Sequence, residues 1–261
     1  MKSNKILDIT IPSDNRKNIL YKIKKYIHRP TGFFHIVSLN PENLVVACEN
    51  KEFKKVIETA QIKLIDGVGV VLAARLLGVK VGERVAGVEL MEELIRFASK
   101  MRLRVLLIGA RGNLAERLAN CYQRKYPEAK FFGLEGIEDI KNPQKTEEEK
   151  IFSIVADFKP HLVFVAFGSP DQELWLAHHH KQFSGAVCMG VGGAFDFLAG
   201  KVPRAPSILR RLGLEWLFRL LIQPWRWRRQ LRLVKFCWLI FINFFPILIN
   251  KMGFFNSKKC F

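Results

Sequence analysis

A chain of 261 residues can bury a sizeable core in one or two domains, and 49% hydrophobic with 25% charged residues excludes a disordered or fibrous chain. The formal net charge is +18 at pH 7, and it is unevenly spread. Arg204 to Lys235 holds nine basic residues against the single acid Glu215, among apolar residues. That pattern points to an anionic membrane surface, with nucleic acid as the rival partner.

The five cysteines, Cys48, Cys121, Cys188, Cys237 and Cys260, are odd in number and lack metal-ligand spacing, which indicates reduced residues of a cytosolic protein. The N-terminal stretch MKSNKILDITIPSDNRK has no apolar signal-peptide core.

Residues 5–11 read as a short first strand, and Asn15 to Ile27 as a helix with Ile19, Leu20, Ile23 and Ile27 on one face. Phe33 to Leu39 has the length of a buried strand. Past its end, Asn40 suits an N-cap and Pro41 the first turn of a helix running to Asn50. Phe53 to Ala60 is helical, and Lys63 to Ile65 is a short strand ending in Asp66-Gly67-Val68-Gly69. Open α/β sheets place ligand groups at such strand ends. The plainer alternative is that Asp66 caps the next helix, Val70 to Leu77, which Gly78 stops. Val79 to Gly87 is a loop carrying Arg84, which read plainly is a solvated side chain.

Val88 to Lys100 is an amphipathic helix. The strand Leu103 to Ile108 leads through Gly109-Ala110-Arg111-Gly112-Asn113 into a helix reaching Tyr122, an order that turns backbone N–H groups toward an anion. A strand at Lys130 to Gly133 and an acid-first helix at Asn142 to Phe158 follow. His161 to Phe167 is the most hydrophobic strand and is expected to be central. It ends in Gly168-Ser169-Pro170-Asp171-Gln172-Glu173 and a helix bearing Trp175. His178-His179-His180 reads as a solvated patch, because helical neighbours point about 100° apart and cannot share one metal. The strand Ala186 to Gly190 then meets Gly192, Gly193 and Asp196.

Strands alternating with helices specify an α/β fold with a largely parallel sheet. Five strand-end loops carry polar groups: Ser38 with Asn40, Asp66, Gly109 to Asn113, Gly168 to Glu173, and Gly192 to Asp196. Their convergence beyond the carboxyl ends of the strands is the expected ligand site.

From Ile208 the pattern changes. Ile208, Leu209, Leu212, Trp216, Leu217 and Leu220 form an apolar stripe, and Pro224 interrupts the helix. Trp225-Arg226-Trp227-Arg228-Arg229 alternates aromatic and guanidinium groups, as suits a lipid–phosphate boundary. Phe236 to Ile249 is short of the roughly 20 residues that span a bilayer, which favours an interfacial or re-entrant segment; a buried packing helix is the alternative. The chain thus divides into an α/β domain, residues 1–203, and a helical membrane-associating appendage, residues 204–261.

Read together, SLNPE at 38–42, DGVG at 66–69, ERVAG at 83–87, GSPDQE at 168–173 and GVGGAFDFLAG…RAP…GLEWLFRL between 190 and 220 resemble the WecG/TagA/CpsF family of bacterial glycosyltransferases. The resemblance runs over about residues 33–230. It implies a Rossmann-like fold with helices on both sheet faces and an inverting transfer from a UDP-sugar. The best-known members move N-acetylmannosamine onto GlcNAc carried by an undecaprenyl-diphosphate lipid. Relatives use UDP-glucuronate or UDP-N-acetylmannosaminuronate, and the products enter teichoic acid, enterobacterial common antigen or exopolysaccharide.

Residue by residue, the resemblance implies Asp66 as the base that deprotonates the acceptor hydroxyl. Ser38, where the family usually has Thr, would orient donor or acceptor, and Arg84 would neutralise charge on the departing diphosphate. Asn40 would hold polar groups of either substrate. Gly109, Arg111, Gln172 and Asp196 would hold UDP, with Asp196 on a ribose hydroxyl. Arginines of the appendage would close over the site, with Arg211, Arg219 and Arg226 as candidates. No metal-binding acidic motif is visible, so neither a metal nor another cofactor is expected. The implied setting is the cytoplasmic face of the membrane, with self-association into oligomers and no nucleic acid partner. Beyond Arg229, where many relatives stop, this chain adds about thirty apolar and basic residues.

Overall fold

The computed structural model describes residues 4–110 and 112–251, apart from the side chains of Arg211 and residues 246–251. The chain opens with a hairpin in which β1 (Lys5–Ile6) pairs antiparallel with β2 (Ile9–Thr10). The single strand expected over residues 5–11 is folded in two because Leu7 and Asp8 take φ of 49° and 61°, the two-residue turn that matches strand twist. Helix α1 (Arg16–His28) is capped by Asn15, which accepts from the Asn18 N–H, and buries Ile19 and Ile23.

Strand and helix then alternate: β3 (Phe34–Leu39), α2 (Pro41–Glu49), α3 (Lys51–Thr59), β4 (Ile62–Ile65), α4 (Val68–Leu77), α5 (Gly87–Lys100), β5 (Arg104–Gly109), α6 (Leu114–Lys125), β6 (Lys130–Leu134), α7 (Lys145–Phe158), β7 (Leu162–Ala166), α8 (Asp171–His178), β8 (Val187–Gly190) and α9 (Ala194–Leu198). Helix α7 begins later than the expected Asn142, where Glu147 reaches back to accept from the Gln144 N–H. His178 and His180 are exposed, while His179 packs on Phe152 and Trp175, so the histidine triplet is only partly a solvated patch.

Strands β3 to β8 form one parallel sheet in the order β4-β3-β8-β7-β5-β6. Helices cover both faces, which is why the strands read as apolar runs rather than alternating patterns. Ile36, Leu64, Leu107 and Phe164 pack on one face. Val37, Leu39 and Ile65 pack on the other, beside a second cluster of Leu106, Val163, Val165 and Trp175. Each such fully buried side chain contributes about 1.5–3 kcal/mol. The strand order sets the carboxyl ends of β4, β3, β8 and β7 side by side and leaves those of β5 and β6 to one flank.

The remainder is helical. Helices α10 (Ser207–Arg211) and α11 (Glu215–Ile222) are separate, because Gly213, at φ 74° and tight against Val68, breaks the chain between them. The apolar stripe expected as one helix from Ile208 therefore lies on two. A 3-10 turn, Pro224–Arg226, leads into α12 (Trp227–Lys251). Helix α12 packs along α2 and α4, burying Phe236 and Ile240 beside Leu44 and Val70. Arg229 and Arg232 both reach Glu42, at 2.9 and 2.8 Å, and Lys235 pairs with Glu49. Trp227, Leu231, Val234, Trp238 and Phe241 remain exposed, at helical spacing. The run from Phe236 thus buries one side in the core and bares the other as far as Phe245; its residues 246–249 have no described side chains. Among the described residues no helix is long and apolar enough to cross a membrane.

Candidate active site

A cavity of about 580 Å³ opens where β3, β4, β7 and β8 end, roofed by α11, the 3-10 turn and α12. Ser38, Asn40, Asp66, Arg84, Gln172, Arg219 and Arg226 all line it. The size is in the range of small-molecule sites.

Asp66 is the first residue past β4. Its Oδ1 accepts from the Gly87 N–H at 3.2 Å, the first N–H of α5. It does not cap α4, whose N-cap is Gly67 without a side-chain bond. The Asp66 Oδ2 and the Ser38 hydroxyl both lie against Gly87, so the two groups share one corner of the cavity. Burial pushes the Asp66 carboxyl up to about 6; the Gly87 N–H and Arg84 oppose the rise, while Glu215 and Glu89 add to it. Such a group is ionised at neutral pH yet more basic than an ordinary carboxylate, which suits a proton acceptor.

The neighbouring groups are held firmly. Asn40 caps α2 by accepting from the Asn43 N–H at 2.9 Å. The buried Asn43 donates to the Ser38 carbonyl at 2.8 Å and accepts from the Ser169 hydroxyl at 2.9 Å. Arg84 is not a free solvated side chain, since its Nη2 donates to the Arg210 carbonyl at 3.2 Å. The Gln172 Oε1 accepts from the Gly168 and Gly192 N–H groups, at 3.2 and 3.0 Å, and Nε2 donates to Glu173 at 2.7 Å. Gln172 is thus a strut between two loops as well as a cavity residue.

The opposite wall is cationic. The Arg219 guanidinium lies 4.6 Å over the Phe197 ring and against Gly193. A Cβ at position 193 would fall 2.0 Å from Arg219 Nη2, so only glycine allows this approach. Arg219 and Arg226 both lean on the neutral Gln223 Oε1 at 3.4 Å. Among the described residues neither is paired with a carboxylate, in contrast to Arg204, Arg210, Arg229 and Arg232. Burial lowers the pKa of both, Arg226 to about 10, and Arg229 pushes each in the same direction. Clustered guanidinium groups without counter-ions are a ready site for a phosphate or diphosphate.

Two expected ligands stand apart from this cavity. Asp196, in α9, is not on its wall; its charge acts on Arg219 and Arg226 and favours their ionised forms. Gly109 packs on the Phe167 ring and Gly136, at the end of β5 and outside the cavity lining, so four of the five polar loops converge. Arg111 and the Arg211 side chain lie outside the described residues. Sequence reasoning gave no site role to Asn43, Glu42 and Arg229, and placed Glu173 only at the end of a polar loop; all four line the cavity. The available signal for Glu173 was an acid beside Trp175 and Leu176 on the buried side of a helix. Among the described residues no three His, Cys, Asp or Glu side chains are grouped to hold a metal.

Compared with known proteins, the chain matches the profile of the Glycosyl transferase WecG/TagA/CpsF family over residues 4–247. That span continues past Arg229 into α12, so most of the stretch expected to be an addition falls within the match. The chain is 32% identical over 237 residues, 90% of each chain, to the N-acetylglucosaminyldiphosphoundecaprenol N-acetyl-beta-D-mannosaminyltransferase of Bacillus subtilis (strain 168). It is 33% identical over 229 residues, 87% of each chain, to the protein of the same name from Staphylococcus aureus (strain NCTC 8325 / PS 47).

Proposed function

The chain belongs to the WecG/TagA/CpsF family of glycosyltransferases, and on that premise we propose that it moves N-acetylmannosamine from UDP to a GlcNAc-diphosphoundecaprenol acceptor. One observation carries the reading: a basic carboxylate, Asp66, shares a cavity with two guanidinium groups, Arg219 and Arg226, that among the described residues form no ion pair. The acceptor hydroxyl gives its proton to Asp66 and attacks the anomeric carbon from the face opposite UDP. The new C–O bond forms as the bond to the β-phosphate breaks, and the electron pair leaves with UDP. Arg219 and Arg226, with Arg84, hold the charge that grows on the diphosphate. Ser38 orients the reacting hydroxyl or the donor sugar beside Asp66, and Asn40 and Gln172 line the same space. The charge of Asp196 keeps the arginines ionised; in this reading they supply the countercharge and no metal is required.

The membrane is the proposed location of the acceptor. The exposed Trp227, Leu231, Trp238 and Phe241 of α12, with Trp216, Leu217 and Trp225 before it, would rest in an anionic leaflet at the cytoplasmic face. The test is turnover by purified protein of a panel of UDP-sugars with a synthetic GlcNAc-diphosphoryl-lipid. Transfer of N-acetylmannosamine with inversion is expected. Transfer from UDP-glucuronate alone would reassign the donor, and no transfer from any UDP-sugar would overturn the reading.

A further inference from the structure

We propose that Glu173 is a positioning residue for this transfer: it fixes the Gln172 amide, and through it the loops after β7 and β8 that floor the cavity. The proposal rests on the transferase reading for its kinetic part only. Glu173 is 1% exposed, although it is an acid in a cavity wall. Gln172 beside it can be oriented only one way. Its Oε1 faces two backbone N–H groups, of Gly168 and Gly192, which can only donate. Its Nε2 must then point at the Glu173 Oε1, 2.7 Å away. Without an acceptor at that position the buried Nε2 is left unsatisfied, and the amide can keep its hold on both loops only at the cost of that unpaired donor. The end of β8 is cut to admit the pair: a Cβ on Gly190 would fall 2.6 Å from Gln172 Nε2 and 2.7 Å from Glu173 Oε1.

The other carboxyl oxygen identifies the form that does this. Glu173 Oε2 is buried and, among the described residues, has no hydrogen-bond donor. A bare carboxylate oxygen there is costly, whereas a proton on Oε2 turns it into a donor. The Ser169 hydroxyl lies against the Glu173 carboxyl and gives its own hydrogen to Asn43 Oδ1, leaving its oxygen free to accept. Asn43 in turn donates to the Ser38 carbonyl. With Glu173 neutral, the bonds run without conflict from the glycine loops to the strand end that carries Ser38. Burial pushes the Glu173 carboxyl up to about 7; its hydrogen bonds with Gln172 and Ser169 oppose the rise, and Asp171, its charged neighbour at the head of α8, adds to it. Gln172, Ser169 and Gly190, which lie against it, are neutral.

Glu173→Gln copies the neutral acid, with its carbonyl toward Gln172 and its NH2 toward Ser169; Glu173→Leu removes both contacts. Two readouts separate a positioning role from bulk stability. The first is amide hydrogen exchange at Gly168 and Gly192 in the full chain, which needs no substrate. The second is kcat and KM with UDP-N-acetylmannosamine and the synthetic lipid acceptor. Glu173→Leu is expected to speed exchange at both glycines and to lower kcat about thirtyfold or more, beyond any rise in KM. Glu173→Gln is expected to restore slow exchange and bring kcat within about fivefold of the wild type. A Gln variant as impaired as the Leu variant would overturn the proposal, and so would a Leu variant with wild-type exchange and kcat. If the Leu variant does not fold, Ser169→Ala breaks the same chain one link on, and wild-type exchange and kcat there would overturn it equally. Failure of the wild type to transfer from any UDP-sugar would sink the transferase reading, while the exchange comparison still judges Glu173.

Discussion

The two walls of the cavity are built by opposite means. The sheet wall presents Ser38, Asp66, Gln172 and Glu173 on strand ends and first helical turns, held by hydrogen bonds from backbone and amide groups. The helical wall presents Arg219 and Arg226 on a segment tied to the α/β body by Arg204 and Arg210 to Glu89 and by Arg229 and Arg232 to Glu42. Burial in the first wall raises the pKa of two carboxyls; burial in the second lowers that of two arginines. Both shifts disfavour charge, and in the proposed reaction both are relieved, by the acceptor's proton at one wall and the donor's diphosphate at the other. In the proposed mechanism the proton transfer falls to the wall held by hydrogen bonds and the handling of leaving-group charge to the wall held by ion pairs.

Substitutions break this comparison at its strongest point first. Asp66→Ala is expected to lower kcat about a thousandfold in the transfer assay while UDP binding by calorimetry stays near the wild-type value. Arg219→Ala should cost about tenfold to a hundredfold in kcat/KM and weaken UDP binding, because it strips charge from the other wall. Asp66→Asn should make the protein more stable as it makes it inactive. The folded-state pKa is raised from 3.8 to about 6, so the folded chain holds this proton more tightly than the unfolded one. Its contribution to stability is full below about pH 4 and is lost as pH rises through about 6. The Asn variant should therefore gain about 1–3 kcal/mol over the wild type at pH 8 and little at pH 4, read from melting curves. The smallest effect belongs to Glu42→Gln, which loosens two part-exposed ion pairs and should cost about 1 kcal/mol or less in denaturant titration.

Much of the sheet wall was legible in the sequence. Apolar runs between glycine-marked turns specified the parallel sheet, and Ser38, Asp66 and Gln172 stand at strand ends where the α/β rule places ligands. What escaped depends on long-range geometry. The turn after β5 has the same local pattern as the others, but strand order sets β5 outside the four strands that meet at the cavity. Arg84 gave no sign of its bond to the Arg210 carbonyl, which closes only after α10 folds back. The hairpin at Leu7 was hidden because leucine seldom takes positive φ, and Gly213 was hidden inside an apolar stripe that continued across it. Glu173 was visible only as an acid on a buried helix side, a local conflict resolved by the amide and hydroxyl that three-dimensional packing brings to it.

The most direct test of Asp66 as the proton acceptor is single-turnover transfer from UDP-N-acetylmannosamine to the lipid acceptor, measured from pH 5 to pH 8. The rate should rise about tenfold per pH unit below the Asp66 pKa of about 6 and level off above it, with that rise absent from the residual rate of Asp66→Ala. A wild-type rate independent of pH across that range, or an Asp66→Ala variant that keeps both the rate and its rise, would contradict the account.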